Sequence, residues 1–191
     1  MVARVPTSAE LDDLTLARAR RGDREAFREL VERHEVQVFA LLGRMLLGRG
    51  ALVEDLAQET FLRVFTALDR FDPAGPARLG TWILTIATRL ALDELKRRAP
   101  VATELPEDLA ADARTDADAG AERRALGGAI ARAVEALTPE QRAAFLLREH
   151  HGLEYGEIAE VLSIDLGTVK SRISRARTAL RAALAEVKHG R

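Results

Sequence analysis

The chain has 191 residues, 47% of them hydrophobic, a formal net charge of −1 and no cysteine. This composition excludes wholesale disorder, a disulfide framework and a thiolate metal site, and no apolar run approaches the ~20 residues that span a bilayer. Aromatic residues make up only 4% of the chain, which favours helices packed by aliphatic side chains. Because the N-terminus lacks the apolar segment of a signal peptide, we expect a soluble, cytoplasmic protein.

Charge is distributed unevenly along the chain. Residues 166–191 carry seven basic side chains against Glu186 alone, whereas residues 99–137 carry eight acidic side chains against four basic ones. A basic C-terminal end suits binding to the phosphate backbone of DNA.

Residues 11–98 have the pattern of three long helices. Asp23, directly after Gly22, is a candidate N-cap for the first of them, and Gly48 and Gly50 are expected to end it. Its predicted inward residues recur at helical spacing; they are Phe27, Leu30, Val31, His34, Val38, Leu41, Leu42 and Met45.

The second helix is predicted from about Leu52 to Leu68. Its expected inward residues are Ala57, Phe61, Val64, Phe65 and Leu68. Residues 71–80 contain two prolines and two glycines and therefore predict a loop. Thr81 is the expected cap of a third helix, which ends in three basic residues, Lys96, Arg97 and Arg98.

The pattern changes after Pro100. The segment from Ala99 to about Gly120 is rich in Ala, Asp, Glu and Pro and has no amphipathic period, which predicts an acidic linker. A helix is expected to resume near Glu122. Thr138 then caps a helix whose first position is Pro139 and which ends near Gly152. Nothing in the sequence predicts a strand.

The C-terminal part predicts a helix-turn-helix. After a short helix and a tight turn at Ser163, the apolar residues Val169, Ile173, Ala176 and Leu180 form one stripe of a second helix. The opposite side carries Lys170, Ser171, Ser174, Arg175 and Thr178. In a helix-turn-helix the second helix enters the major groove, where Arg and Lys can bind guanine edges or phosphates and Ser can hydrogen-bond to either.

Several longer motifs resemble one protein family. They are A-R-R-G-D-R-E-A-F-R-E-L-V-E-R-H at 19–34, V-E-D-L-A-Q-E-T-F-L-R-V-F at 53–65, T-W-I-L-T-I-A-T-R-L-A-L-D-E-L-K-R-R at 81–98, L-T-P-E-Q-R-A-A-F-L-L-R-E at 137–149 and G-T-V-K-S-R-I-S-R-A-R at 167–177. In this order and spacing they resemble a bacterial extracytoplasmic-function (ECF, group IV) sigma factor of the sigma-70 family.

The resemblance implies an all-α fold of two small helical domains. Region 2 would occupy residues 11–98, a flexible acidic linker residues 99–121, and region 4, with its helix-turn-helix, residues 122–187. Such a protein is an alternative sigma factor. It directs core RNA polymerase to specific promoters and helps to open the −10 region, without catalytic residues, cofactor or metal of its own.

The resemblance also implies three sets of binding residues. The set facing the clamp helices of the polymerase β′ subunit is Asp55, Gln58, Glu59, Leu62 and Arg63. The set for −10 DNA is Phe71, Arg78, Trp82, Thr85, Thr88, Arg89, Lys96 and Arg97. The set for −35 DNA is Thr168, Lys170, Ser171, Arg172, Ser174, Arg175 and Arg177.

Each set has a purely structural alternative. The Asp55 face could be an ordinary solvated surface, and Trp82 could belong to the core. Arg172 and Arg177 could merely neutralise phosphate or pair with Glu160 or Glu186.

The chain also departs from a common family pattern: where that pattern has W-L-Y-R-I-A-R-N, residues 82–89 are W-I-L-T-I-A-T-R. Contacts near −12 are therefore expected to differ at Thr85, Thr88 and Arg89.

The partners implied are core RNA polymerase (the β′ clamp helices and the β flap), promoter DNA and a cognate anti-sigma factor, which could hold the protein at the membrane; membrane insertion is not expected. The linker could thread through the polymerase or serve as a plain tether.

Two other classes of protein stay open: an autonomous transcription factor that dimerises on a palindrome, and a helical interaction protein that does not bind DNA. The adjacent His150 and His151 are expected at a helix end rather than in a metal site.

Overall fold

The N-terminal half consists of four helices, two of which begin at capping aspartates. The computed structural model of the chain describes residues 11–98, 128 and 130–189. Helices α1, α2, α3 and α4 span Asp13–Arg20, Arg24–Met45, Gly50–Ala67 and Leu79–Arg98. The Asp12 side chain accepts a hydrogen bond from the backbone of Thr15. The Asp23 side chain accepts from the backbones of Glu25 and Ala26, which confirms the predicted cap.

The predicted stripe of α2 lies at the centre of the N-terminal core. Leu30, Val38 and Leu41 are fully buried. Gly48, with φ +74°, follows the helix as expected, in the left-handed region that glycine adopts without strain. Gly50 was predicted to help end α2 but is instead the first residue of α3, because the chain has already reversed over residues 46–49.

Near its C-terminal end, helix α3 does not bury the whole face that the sequence predicts. Ala57 and Val64 are buried as expected, whereas Phe65 is 47% exposed and its inward prediction is wrong. Consecutive residues of a helix point about 100° apart, and at this end of α3 the core covers the Val64 side but not the Phe65 side. The Phe65 ring instead meets the Phe27 ring edge-on, with centroids 4.9 Å apart.

The loop after α3 positions the start of α4. A short 3₁₀ turn, Leu68–Arg70, leads into irregular residues 71–78. Helix α4 then begins at Leu79, so Thr81 lies inside the helix and is not its cap. Phe71 is buried, and its ring packs on Trp82 with centroids 5.2 Å apart. Trp82 is half-buried and packs against the core.

The C-terminal half contains three further helices after a helical stretch at 130–135. Helices α5, α6 and α7 span Pro139–Glu149, Tyr155–Leu162 and Leu166–His189. Thr138 caps α5 and Pro139 is its first residue, as predicted. Gln141 completes a reciprocal capping box with Thr138. The predicted linker, residues 99–121, and the predicted helix start near Glu122 lie outside the described residues.

The two halves pack directly against each other. Buried apolar side chains of both halves belong to one continuous cluster, α6 and α5 contact α4, and α5 contacts α2. The described residues contain no strand, and the all-α prediction is confirmed. None of the described helices has the length and apolar character needed to cross a membrane.

Candidate functional site

Helices α6 and α7 form a helix-turn-helix around a left-handed residue. Ser163 adopts φ 54° and ψ 49°, as predicted for the turn. Its backbone N–H donates to the Glu160 carbonyl at 3.2 Å, and the Ile164 N–H donates to the Ala159 carbonyl at 3.0 Å. These bonds satisfy carbonyls that the end of α6 would otherwise leave without partners, and they fix the direction in which α7 departs.

The first turn of α7 is held by Asp165. One carboxylate oxygen accepts the Thr168 backbone N–H at 2.8 Å and the other accepts the Thr168 hydroxyl at 2.6 Å. These bonds stabilise the ionised carboxylate and hold the pKa of Asp165 below its usual value. A Cβ at position 167 would lie 3.0 Å from an Asp165 oxygen, so Gly167 leaves room for the capping side chain.

The two sides of α7 differ as the sequence predicts. Val169, Ile173 and Ala176 are buried against the other helices. The opposite side exposes Lys170, Ser171, Ser174 and Arg175. This side therefore offers cationic and hydroxyl donors along an uncovered helix face, the chemistry that base edges and phosphates accept.

Arg177 lies beside this face but is held by another helix. Its Nε donates to Glu149 Oε1 at 3.0 Å, and its Nη2 contacts the same oxygen. Glu149 ends α5 and raises the pKa of the Arg177 guanidinium. The prediction that Arg177 could pair with Glu160 is wrong, since Arg177 forms its ion pair with Glu149.

Helix α3 exposes the polar ridge predicted to bind a protein partner. Asp55, Gln58 and Arg63 are exposed, and Leu62 is 61% exposed. The Glu59 carboxylate accepts from Arg63 Nε at 2.7 Å. The ridge thus combines one large apolar side chain with hydrogen-bonding groups, a combination that suits a protein interface.

An apolar groove lies beside this ridge, between α2 and α3. It encloses about 420 Å³, and Phe27, Val31, Phe39, Phe61 and Leu62 are among its lining residues. Phe39 is 41% exposed. Sequence reasoning missed this groove because it assigned Phe61 and Phe65 to the core, although the unassigned Phe39 was a usable signal.

The C-terminal part of α4 carries a basic cluster. Lys96, Arg97 and Arg98 are exposed. Arg97 donates to Glu94 at 2.8 and 2.9 Å, and Arg97 and Arg98 together lower the pKa of Glu94 to about 2. Further towards its start, α4 exposes Arg89, whose Nη2 donates to Ser163 Oγ at 3.1 Å.

Comparison with known proteins decides the family. The sigma-70 region 2 model matches residues 30–100 and the sigma-70 region 4 model matches residues 127–180. The chain is 38% identical over 189 residues to the ECF RNA polymerase sigma factor SigE of Mycolicibacterium smegmatis, which covers 95% of this chain and 69% of that protein. The chain belongs to the ECF sigma factors, which direct core RNA polymerase to specific promoters.

Two solved structures share the fold of this sigma factor. CnrH in complex with the cytosolic domain of CnrY superposes with a TM-score of 0.65 and 28% identity, over 90% of this chain and 96% of that one. The sigma factor RpoE of Bartonella quintana, in complex with the anti-sigma factor NepR, superposes with a TM-score of 0.59 and 22% identity, over 83% and 96% of the two chains.

Two residues predicted to bind −10 DNA are buried in this sigma factor. Thr88 is fully buried and its hydroxyl donates to the Leu84 carbonyl at 2.7 Å. Phe71 is covered by its packing on Trp82. Thr88 lies on the core-facing side of α4, and Phe71 is covered where the loop folds back against the start of α4, so neither side chain reaches the surface. Arg78 is exposed and Thr85 is half-buried, and the Thr85 hydroxyl donates to the Thr81 carbonyl at 2.8 Å.

The residues predicted to bind −35 DNA also differ in their exposure. Lys170, Ser171, Ser174 and Arg175 are exposed together, and Arg172 is half-buried. Thr168 is engaged by Asp165 as described above. Sequence reasoning missed Asp165, although an aspartate three residues before a threonine at a helix start is a recognisable capping signal. It also missed Glu149, whose partner lies 28 positions away and left no local signal.

Proposed function

We propose that this ECF sigma factor uses three described surfaces in turn: the ridge of α3 for core polymerase, the exposed side of α7 for −35 DNA, and the loop and helix α4 for −10 DNA. The observation that carries the proposal is the uncovered polar side of α7. A row of Lys, Ser and Arg side chains opposite a fully buried stripe is positioned to enter the major groove.

For polymerase binding we infer that Asp55, Gln58, Glu59, Leu62 and Arg63 contact the β′ clamp helices. Support comes from the exposure of Asp55, Gln58, Leu62 and Arg63 on α3, with Glu59 half-buried among them. Leu62 is 61% exposed, so packing among the described residues does not account for this large apolar side chain. An exposed leucine surrounded by groups able to hydrogen-bond can act as the apolar centre of a contact whose polar rim sets its specificity. Region 4 would contact the β flap while it binds DNA.

For −35 recognition the direct readers are Lys170, Ser171, Ser174 and Arg175, with Arg172 at their edge. Arg and Lys pair with O6 and N7 of guanine, and serine can bond to a base or a phosphate. Arg177 has a different role: its ion pair with Glu149 ties α7 to α5 and so sets the angle at which the reading face is presented.

For −10 opening the chemistry is selective binding of unpaired bases. Arg78 and Trp82 lie on or near the loop at residues 71–78, and Arg89, Lys96 and Arg97 can hold backbone phosphates. A base that has left the duplex has lost a few kcal/mol of stacking and pairing. A site that binds only the unpaired form shifts the closed–open equilibrium towards open DNA by that differential affinity. No covalent step is needed, and we infer that the chain has no catalytic activity and needs no cofactor.

The remaining partner is an anti-sigma factor. Support comes from the fold shared with RpoE of Bartonella quintana, which was solved with the anti-sigma factor NepR. Since core polymerase and promoters are in the cytoplasm, we place the working protein there; an anti-sigma factor anchored in the membrane could retain it at the inner surface.

The polymerase surface can be tested with a charge-reversed double variant, Asp55→Arg with Glu59→Arg. Both positions lie on the outer side of α3, so the unfolding free energy should change by no more than about 1 kcal/mol. Binding to core polymerase and run-off transcription should be lost. A matched control is Glu54→Arg, which reverses an exposed acidic residue next to the ridge and should leave both readouts intact. Full polymerase binding by the folded double variant would refute the assignment.

A further inference from the structure

Two consecutive side chains at the end of α5 hold different helices of the helix-turn-helix. Glu149 is the last residue of α5 and accepts from Arg177 of α7 at 3.0 Å. Arg148, directly before it, contacts the start of α6 instead. Successive residues of a helix point about 100° apart, so neighbouring positions of α5 can face the two helices separately. Both helices are therefore tied to the end of α5.

Arg148 contacts three successive residues at the entrance to α6. Its Nη1 donates to the Leu153 carbonyl at 2.8 Å and lies 3.0 Å from Glu154 Oε1. Its Cζ lies over the ring of Tyr155, 5.1 Å from the ring centroid, where the negative face of the ring attracts a guanidinium. Glu154 is the N-cap of α6 and Tyr155 is its first residue. One side chain of α5 thus fixes where α6 begins.

These three contacts differ in strength because their exposure to solvent differs. The Glu154 side chain is 75% exposed, so water screens its ion pair with Arg148 and leaves it weak. Leu153 is buried, and Tyr155 is half-buried and packs against the hydrophobic core. A charged donor forms a stronger hydrogen bond than a neutral one. The carbonyl and ring contacts therefore contribute most to fixing α6.

Tyr155 also lies beside the ion pair that holds α7. Glu149 is the main cause of the raised pKa of Arg177, and the Tyr155 hydroxyl acts in the same direction. This residue, the only tyrosine of the chain, therefore presents its ring to Arg148 and its hydroxyl to Arg177. A displacement of the start of α6 would disturb both contacts together.

We propose that Arg148 is a positioning residue for −35 recognition, which holds α6 against the end of α5 so that α6 and α7 keep one placement when α7 meets DNA. Arg148 acts through Leu153 and Tyr155 and contacts no base. The affinity of a protein for its ligand falls with the fraction of molecules in the binding-competent arrangement, so a loosened α6 weakens binding without changing which bases are preferred. The inference rests on the proposed −35 role of α7.

The test separates promoter binding from promoter opening. Lag times in abortive initiation by the holoenzyme give the binding constant of the closed complex and the rate of opening as separate quantities. Arg148→Met keeps the apolar stem of the side chain and removes all three contacts. The binding constant should fall about three- to tenfold, by the same factor for every −35 sequence. The opening rate should not change, because opening is proposed to depend on region 2.

Two further variants separate the geometry of Arg148 from its charge. Arg148→Lys keeps the positive charge that suits the C-terminal end of α5 but lacks the planar fork of donors, so it should restore only part of the lost binding. Glu160→Gln is the matched control, because it removes an exposed carboxylate from the same helix, α6, and should leave the binding constant unchanged.

The contact with Tyr155 can be tested by coupling and by spectroscopy. If Arg148 acts through the ring, Arg148→Met should reduce binding less in a Tyr155→Leu background than in the unaltered chain. In NMR spectra of the free protein, the ring current of Tyr155 should shift the side-chain protons of Arg148 upfield. That shift should disappear in Tyr155→Leu.

Two results would overturn the positioning role. One is an unchanged binding constant for the active holoenzyme of Arg148→Met, even if its urea midpoint falls, since Arg148 would then serve stability alone. The other is a fully additive effect of Arg148→Met and Tyr155→Leu. Should Arg148→Met not fold, Arg148→Lys carries the same test, and unaltered binding by it would refute the role. If Arg175→Ala also leaves −35 binding unchanged, the proposed function of α7 fails instead.

Discussion

Arg175 and Arg177 lie two positions apart, within one turn of the same helix, yet their replacement by alanine should have different effects. Arg175 is exposed and forms no ion pair with any residue that the structure describes. Arg177 is bound to Glu149, with side chains 40% and 32% exposed. The first side chain is available to DNA, whereas the second fixes the position of the helix.

The expected magnitudes follow from these environments. If Arg175 pairs bidentately with a guanine of the −35 element, Arg175→Ala should lose about 1–3 kcal/mol of discrimination at that base, with an unfolding free energy changed by less than about 0.5 kcal/mol. Arg177→Ala breaks a partly exposed ion pair, which solvent screening limits to about 0.5–1 kcal/mol of stability. Its effect on transcription should be small and equal for all −35 sequences.

The assay is run-off transcription by core polymerase with each variant, on promoters changed one base at a time through −35. Urea denaturation of the same preparations gives the change in stability. Should Arg175 hold only a phosphate, its loss would weaken all promoters equally and make the dependence on salt shallower. The division of roles is refuted if Arg177→Ala shifts base preference as much as Arg175→Ala does, or if Arg175→Ala leaves preference unaltered.

Two further predictions concern stability. Ile173→Ala should lower the unfolding free energy of region 4 by about 2–5 kcal/mol because it leaves a cavity under α7, while Ser174→Ala, at the exposed neighbouring position, should change it by less than about 0.5 kcal/mol; equal urea midpoints for the two would contradict the burial of Ile173. Burial lowers the pKa of His151 to about 3 and also lowers that of His34. Both imidazoles must take up protons on unfolding, so stability should fall as pH drops below about 6.5, by up to about 1.4 kcal/mol per pH unit for each histidine. His151→Gln should flatten this slope in urea titrations between pH 7 and 4, and an unchanged slope would exclude His151 as its source.

The helix-turn-helix shows how much of a functional site a sequence can predict. The stripe of Val169, Ile173 and Ala176 and the tight turn at Ser163 were predicted, because helical periodicity and turn conformation depend on residues a few positions apart. The cap at Thr138, with Pro139 as the first helical residue, was predicted for the same reason. The exposed face with Lys170 follows directly, since a helix with one buried stripe leaves the other side to solvent.

The packing of the helices against one another decides which side of a helix is buried and which side chains pair, and helical periodicity alone does not specify either. Phe65 fits an inward stripe in sequence but is exposed, because the direction from which α2 and α4 approach α3 sets which side is covered. Arg177 belongs to the basic face in sequence, yet Glu149, placed by the fold, binds it. A side chain's partner depends on which helices meet, and that depends on all the apolar faces together.

The sequence by itself therefore determined the helices, their caps, the reading face and the family of this sigma factor, since local hydrogen bonds and helical periodicity specify them. Only the tertiary structure decided which basic residues are free to meet DNA, and how the halves meet. The bond from Arg142 to the Met45 carbonyl joins residues 97 positions apart. Its acceptor is a backbone carbonyl oxygen, which every residue carries, so no residue type in the sequence could have predicted this hydrogen bond.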